Sequence, residues 1–256
     1  MRYIRYLFFF GACLLCAGLQ ADIIFQDSFN YADGELPFPW SRHSGIGGQT
    51  IVNGELFLDD DFTGDYNREF EAITSGWVFA GFDLRVSSFD LPSSEDGQYF
   101  AHFGDVTSGS ARFVSRLYLA SAPSGYRIGI SRGFDGSRPF LAETFLPDRT
   151  YRVVHGFHME SYTAVLAVDS PDGSNSIMAS DGITDPNFLR FFAFRNLNGT
   201  DGDKFVDNLS VATTYSSAFS AVPEPNTSLV VATMAGIGIA KARRRRPVLD
   251  LRIAYR

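Results

Sequence analysis

The chain has 256 residues, a formal net charge of −7 and 15% aromatic residues, and it contains 24 glycines. Many of its basic residues lie at the two ends, so the central part is more acidic than the whole. This distribution argues against nucleic acid as a partner. The abundance of aromatic residues and glycines favours strands and turns over helices.

The first segment has the three parts of a secretory signal peptide. Two arginines lie within the first five residues, an apolar run covers residues 7–19, and Leu19-Gln20-Ala21 offers a cleavage site. Cleavage there would remove residues 1–21. Both cysteines, Cys13 and Cys16, lie in that segment, so the mature chain would contain no thiol and form no disulfide.

Residues 22–214 are predicted to form one all-β domain. Asn53-Gly54 lies between two apolar runs and is a strong hairpin signal. Residues 77–89 alternate between apolar and polar side chains, as a half-buried strand does. About ten or eleven such segments, separated by turns of glycine, proline, serine and aspartate, fit a two-sheet antiparallel jelly-roll sandwich.

Three short segments of this domain resemble the laminin-G-like, concanavalin-A-like jelly rolls of exported bacterial proteins. They are Phe25-Gln26-Asp27-Ser28-Phe29 with the loop that follows, Val52-Asn53-Gly54-Glu55-Leu56, and Phe205-Val206-Asp207-Asn208-Leu209-Ser210-Val211. The resemblance implies a domain that binds glycans or has a structural role. Some related members are glycoside hydrolases.

Catalysis has one candidate pair, Glu69 and Glu71, which a strand would place on one face. Retaining glycosidases of this architecture use acidic residues at alternate positions, so that one acts as acid and another as nucleophile. The further acidic residues of that motif are missing after Glu71. We therefore expect a non-catalytic domain, with a divergent glycoside hydrolase using Glu69 and Glu71 as the alternative.

A structural calcium ion is the one cofactor that the sequence suggests. In the resembling jelly rolls, calcium ligands lie near the first and last strands, and Asp27 and Asp207 are the matching positions. Aspartates at residues 59–61 and at 201 and 203 also offer hard oxygen ligands, without the spacing of a helix-loop-helix calcium loop. A hydrogen-bonded buried carboxylate at Asp27 or Asp207 is the alternative.

Aromatic side chains are the candidate platforms for sugar rings. Trp40 is the preferred one because Pro37-Phe38-Pro39 predicts a loop, where polar neighbours would surround an exposed indole. Trp77, Tyr99 and Tyr118 are also available, although most aromatic residues of such a chain belong to the core.

The last part of the chain has three features in a fixed order. Val222-Pro223-Glu224-Pro225 lies in a linker, residues 215–227, where the prolines forbid a continuing helix or a central strand. Residues 228–240 form an apolar run, predicted as a transmembrane helix. A basic tail, residues 241–256, follows with Arg243-Arg244-Arg245-Arg246, which would stay in the cytoplasm.

This order resembles the PEP-CTERM sorting signal of Gram-negative and related bacteria. The resemblance implies an exosortase as partner, an anchor in the inner membrane before processing, and then a place on the cell surface or in the extracellular matrix. The apolar run is shorter than the ~20 residues that span a bilayer, and the chain continues beyond Arg246. The sequence thus predicts an exported surface protein that binds polysaccharide or has a structural role.

Overall fold

The computed structural model describes residues 23–106, 112–197, 199 and 202–220. The predicted signal peptide, the proline-containing sorting motif, the apolar run and the four arginines lie outside these residues. Among the described residues, no helix is long and apolar enough to cross a membrane.

Fifteen strands and one short helix, α1 (Tyr215–Phe219), make up the described chain. The strands, in chain order, are β1 (Ile23–Asp27), β2 (Gly34–Glu35), β3 (Ser41–Ser44), β4 (Gln49–Val52), β5 (Glu55–Leu58), β6 (Asp65–Ile73), β7 (Trp77–Val86), β8 (Gln98–Gly104), β9 (Phe113–Ala122), β10 (Gly125–Ser131), β11 (Tyr151–His158), β12 (Thr163–Val168), β13 (Ser176–Ala179), β14 (Leu189–Arg195) and β15 (Lys204–Ala212).

The strands form two antiparallel sheets, as predicted. One has nine strands in the order β13-β12-β11-β7-β15-β5-β4-β2, with β1 paired to the end of β15. The other has six strands in the order β10-β9-β8-β14-β6-β3. The first and last strands of the domain are therefore neighbours, which joins its two ends in one sheet.

The core lies between the two sheets. Phe82 of the nine-stranded sheet contacts Phe100, Phe192 and Phe194 of the six-stranded sheet, with ring centroids 5.3–6.4 Å apart. These four rings are fully buried. Because side chains alternate along a strand, the same strands of the six-stranded sheet present their other residues on the opposite side, which we call the open face.

A β-bulge in β15 turns Asp207 away from the core. Val206 is buried, and so is Leu209, because the register against β7 shifts between Asp207 and Ser210. Asn208 takes a positive φ of 51° at this bulge. Asp207, which the sequence placed among inward-facing apolar residues, is consequently half-buried, and it accepts hydrogen bonds from the backbone and side chain of Asn208.

Helix α1 begins at the first residue of the predicted linker. It packs on the outer side of the nine-stranded sheet, where Ala218, Phe79, Val154 and Ala212 form a second apolar cluster. Gly81 makes this approach possible, since a Cβ there would lie 1.9 Å from the carbonyl oxygen of Ala218. The folded domain therefore extends to Ser220.

Candidate functional site

A groove of about 540 Å³ opens on the open face of the six-stranded sheet. Strands β8, β9 and β14 supply its floor, and the segments that follow β10 and β13 supply one side. The lining residues are mainly arginine and aromatic side chains: Gln98, Tyr99, Arg112, Phe113, Arg116, Tyr118, Phe134, Arg138, Thr184 and Arg195. We call it the arginine groove.

Strand alternation and one bulge bring the floor residues of β9 to the same side. Leu117 and Leu119 point into the core, so Arg116 and Tyr118 point into the groove. Ser115 has a positive φ of 50°, and its hydroxyl reaches inward to the Gly156 carbonyl oxygen at 3.0 Å. This irregularity lets Phe113 and Arg116 both line the groove although they are three residues apart.

The two tyrosines of the floor face each other across β8 and β9. Tyr99 pairs with Tyr118 in the strand register, and their ring centroids are 6.1 Å apart. The guanidinium carbons of Arg195 and Arg116 lie 4.2 Å and 4.7 Å from the centroid of Tyr99. That of Arg138 lies 4.8 Å from the centroid of Tyr118. These cation–π contacts hold the arginine heads at fixed positions.

The groove carries net positive charge. Arg195 contacts Asp65 at 3.4 Å and Arg112 contacts Asp105 at 3.8 Å, so two of the four arginines have acidic partners. Arg116 and Arg138 form no ion pair within the described part of the chain. Only 8% of Arg116 is exposed, and its buried Nε has no hydrogen-bond partner among the described residues. Two guanidinium groups are thus available to an anionic ligand.

The titratable groups around the floor are set by burial. Burial raises the pKa of Tyr99, and the charges of Arg195 and Arg116 oppose that rise. His102 lies fully buried beside the floor, with its ring centroid 4.3 Å from that of Phe113. Burial, together with Arg116, holds the pKa of His102 well below its ordinary value. At neutral pH, Tyr99 is therefore a neutral phenol and His102 a neutral imidazole.

Trp40, the predicted sugar platform, lies in the core rather than in an exposed loop. It is 4% exposed, and its Nε1 donates to Oδ2 of Asp27 at 2.8 Å. Its ring packs against Phe29 and Phe194, each with a centroid 5.8 Å away. The exposed aromatic side chain of this loop is Phe38 instead, which is 91% exposed.

Asp27, the predicted calcium ligand, is surrounded by hydrogen-bond donors. Its carboxylate accepts from the backbone N of Phe29 at 2.9 Å, from the Tyr31 hydroxyl at 3.1 Å and from Trp40. Arg68 forms an ion pair with it at 3.1 Å. This environment matches the alternative of a hydrogen-bonded buried carboxylate, and calcium at Asp27 and Asp207 stays a prediction.

Three aspartates from the two acidic segments noted in the sequence come together elsewhere. Carboxylate oxygens of Asp59, Asp60 and Asp203 all lie within 4.8 Å of one another. Burial and the nearby acidic residues raise the pKa of Asp203 to about 6. Spacing along the chain did not reveal this cluster, because Asp203 is more than 140 residues from Asp59 and Asp60 and meets them only when β15 pairs with β5.

Glu69 and Glu71 lie on the exposed outer part of β6, outside the arginine groove. Glu69 pairs with Arg190 at 3.3 Å, and about half of each side chain is exposed. Glu71 is also exposed. The structure thus places the two glutamates on one strand, as predicted, but brings neither to the groove.

No family model and no curated protein sequence matches the chain, whereas solved structures match its fold. An alginate lyase double mutant in complex with alginate tetrasaccharide has a TM-score of 0.51 and 13% identity, over 75% of this chain and 96% of its own. A sialidase has a TM-score of 0.53 and 18% identity over 85% of this chain. Peanut lectin has a TM-score of 0.47 and 10% identity over 73% of this chain.

The first two matches confirm the predicted jelly-roll fold. This chain covers only 21% of the sialidase, so that match concerns one part of a longer protein. At these identities the likeness shows the fold alone, and the chemistry has to come from the residues of the arginine groove.

Proposed function

We propose that this protein is an exported, non-catalytic binding protein whose arginine groove holds an acidic polysaccharide. The observation that carries the proposal is the lining of the groove: four arginines, two tyrosines and no carboxylate among the lining residues. A guanidinium binds a carboxylate through two parallel hydrogen bonds, which suits a polymer of uronic acids. Arg116 and Arg138 would bind the carboxylates directly.

A sugar polymer fits the groove better than nucleic acid does. The central part of the chain is acidic apart from this groove, so long-range attraction to a highly charged duplex is weak. The tyrosine rings of the floor offer flat apolar surfaces beside the charges, as carbohydrate sites do. The alginate lyase that matches in fold was solved with an alginate tetrasaccharide, an acidic oligosaccharide, which supports this ligand class.

The non-catalytic part of the proposal rests on the side chains that line the groove and on the protonation states of Tyr99 and His102. Neither Glu69 nor Glu71 reaches it, and no lining residue is an aspartate or glutamate. The raised pKa of Tyr99 and the lowered pKa of His102 keep both side chains neutral. The shifts make Tyr99 a weaker acid and His102 a weaker base than usual, and both pKa values move away from pH 7, where a general acid or base works best.

Export and sorting complete the proposal. Residues 1–21 would direct the chain out of the cytoplasm, and Pro223-Glu224-Pro225 with the following apolar run and arginines would present it to an exosortase. The protein would be anchored in the inner membrane and then reach the cell surface or the extracellular matrix. At either place the groove would be accessible to an extracellular acidic polysaccharide.

Binding to polygalacturonate tests the ligand class. We expect the purified protein to bind polygalacturonate, and to bind neutral dextran far more weakly, in isothermal titration calorimetry. Arg116→Gln and Arg138→Gln should each weaken binding about ten- to hundredfold, because each removes a charge-assisted hydrogen bond. Raising the salt concentration should weaken binding by the wild-type protein.

Arg149→Gln is the matched control, since Arg149 is an exposed arginine that does not line the groove. Its affinity for polygalacturonate should equal that of the wild-type protein. Equal affinity for dextran and polygalacturonate, or an equal loss in all three variants, would contradict a specific acidic-polysaccharide site.

Incubation with the polymer tests the absence of catalysis. We expect neither new reducing ends, which a hydrolase would release, nor the ultraviolet absorbance of unsaturated uronates, which a lyase would produce. Polygalacturonate tests both reactions, and laminarin tests the hydrolase alternative. Release of sugar from laminarin that Glu71→Gln abolishes, and Glu143→Gln does not, would instead establish the glycoside hydrolase alternative. Glu143 is the control because it is an exposed glutamate outside β6.

A further inference from the structure

One side of the arginine groove is formed by two loops that interlock. Residues 132–138 follow β10 and residues 180–185 follow β13, and we call them together the loop wall. Phe134 and Thr184 line the groove from this wall. Phe134 is 65% exposed, and Ile183, which precedes Thr184 in the second loop, is 80% exposed. The wall therefore presents apolar side chains beside a strongly cationic floor.

Hydrogen bonds hold the two loops together. The Arg132 guanidinium donates to the carbonyl oxygens of Ser180 at 3.1 Å and Gly182 at 2.6 Å, and it pairs with Asp185. Ser137 donates through its backbone N and its hydroxyl to Asp181, each at 2.8 Å. These contacts fix the loops against each other without using Phe134.

Two glycines allow the loops to approach this closely. A Cβ on Gly133 would lie 2.5 Å from Oγ1 of Thr184, and a Cβ on Gly136 would lie 2.5 Å from the carbonyl oxygen of Asp181. Both distances are shorter than a real Cβ contact. Glycine at these two positions is thus a requirement of the wall as it is built.

The backbone of Phe134 is hydrogen-bonded to the second loop, and its exposed ring lies near Arg116. The backbone N of Phe134 lies 3.4 Å from Oγ1 of Thr184, and the guanidinium carbon of Arg116 lies 5.4 Å from its ring centroid. A phenylalanine that is 65% exposed gains little from burial in the folded protein. A loop that is fixed by hydrogen bonds and presents such a ring next to Arg116 is preorganised for a ligand with an apolar surface.

We propose that Phe134 is a stacking platform for a sugar ring next to the arginines, which makes the ligand a polyuronate rather than any polyanion. The inference rests on the proposed function of the groove. One uronate residue would present its carboxylate to Arg116 and Arg138, while a sugar ring of the chain lays its C–H face on Phe134. A polyanion without such a face gains only the charge contacts.

Three variants and two polymers test this platform. Wild-type protein, Phe134→Ala and Phe134→Tyr are titrated with polygalacturonate and with poly-L-glutamate, which carries carboxylates but no sugar rings. We expect Phe134→Ala to weaken polygalacturonate binding about tenfold, as the loss of one ring contact does. We expect Phe134→Tyr to bind like the wild type, and binding of poly-L-glutamate to be equal in all three.

Phe89→Ala is the control, because Phe89 is 92% exposed and does not line the groove. It should leave both affinities unchanged. Equal affinity of Phe134→Ala and wild type for polygalacturonate would overturn the platform while the arginine groove stands. If the wild-type protein binds neither polymer, the function of the groove and the platform are both overturned. Circular dichroism verifies that each variant is folded.

Discussion

A single buried carboxylate, that of Asp27, organises the first loop of the domain. It is 6% exposed and accepts hydrogen bonds from Phe29, Tyr31 and Trp40. The charge of Arg68 balances it at 3.1 Å. The bond to Trp40 satisfies the only polar atom of the indole and so permits that ring to enter the core. Trp40 therefore belongs to the core although it directly follows the loop Pro37-Phe38-Pro39.

Removing this carboxylate should destabilise the fold. In Asp27→Ala, the buried indole N–H of Trp40 and the N–H of Phe29 lose their acceptor, and the Arg68 guanidinium loses its anionic partner. We expect a loss of about 3–5 kcal/mol in the free energy of unfolding, as for one partner of a buried pair. Urea unfolding measures it. Asp33→Ala is the control, because Asp33 accepts one exposed bond from Asn53 and should cost about 1 kcal/mol or less.

The positions of the groove residues along the chain explain why the functional site was hard to predict from the sequence. The average charge of the central part is acidic, but Arg112, Arg116, Arg138 and Arg195 converge from separate segments on one groove. Their sequence separation hides the patch. The usable signal was the alternation along β9, which puts Arg116 and Tyr118 opposite the core leucines. Tyr99 and Tyr118 were named as candidate platforms, and both line the groove.

At the scale of elements, Arg152 fastens helix α1 to the sheet. Its guanidinium donates to the carbonyl oxygens of Ala218 at 2.6 Å, Phe219 at 2.9 Å and Ser220 at 3.2 Å. It also donates to the carbonyl oxygen of Asn208 at 2.7 Å. Carbonyls at a helix C-terminus lack partners within the helix, and a basic side chain satisfies them. A residue on β11 therefore satisfies the C-terminal end of the short helix.

Arg152→Met should release this helix. The carbonyls lose their donors and Asp83 loses its cation at 3.3 Å, so we expect a loss of about 2–4 kcal/mol in stability. Chymotrypsin should then cut after Tyr215 or Phe219, which mass spectrometry detects. The control is Arg85→Met, which breaks an ion pair with Glu55 away from the helix. Equal resistance of all three proteins to cleavage would show that the helix holds without Arg152.

Element prediction from the sequence succeeded where side chains alternate and turns are explicit. The hairpin of β4 and β5 forms around Asn53 and Gly54, which have φ of 54° and 80°, as the predicted turn requires. Strand β6 was predicted only around Glu69 and Glu71. Its full extent was harder to predict because Arg68 lies on its inward side with Tyr66 and Phe70, where the alternation demands an apolar residue. Arg68 donates a hydrogen bond to the carboxylate of Asp27, which is 41 positions away in the sequence. Such a reason is visible only in three dimensions.

The space between the two sheets contains a histidine that the fold keeps neutral. His155 is fully buried, and its Nδ1 lies 2.9 Å from the hydroxyl of Ser115. The rings of Phe103 and Phe192 contact it, with centroids 5.2 Å and 5.7 Å away. Burial lowers the pKa of His155 to about 3. Protonation in the folded state is therefore strongly disfavoured at mildly acidic pH.

This histidine should make the domain less stable in acid. In the unfolded chain the pKa of this histidine is about 6.5. Below that pH the unfolded state binds a proton at His155, whereas the folded state does not. Stability is then lost between about pH 6.5 and 3, by at most about 1.4 kcal/mol per pH unit for this group. Asp203, whose folded pKa is raised to about 6, acts in the opposite direction as the pH falls through 6.

Comparison with His155→Gln isolates the histidine from Asp203 and His102, which both proteins share. Urea unfolding at pH 7 and pH 4.5 gives the loss of stability for each protein. We expect the wild type to lose about 2–3 kcal/mol more than the variant over this interval, because only the wild type carries the proton-linked penalty. The variant retains an amide that can contact Ser115, so both proteins should be folded at pH 7. An identical loss in both proteins would contradict this prediction. It would mean that His155 is protonated in the folded state or is not buried between the two sheets.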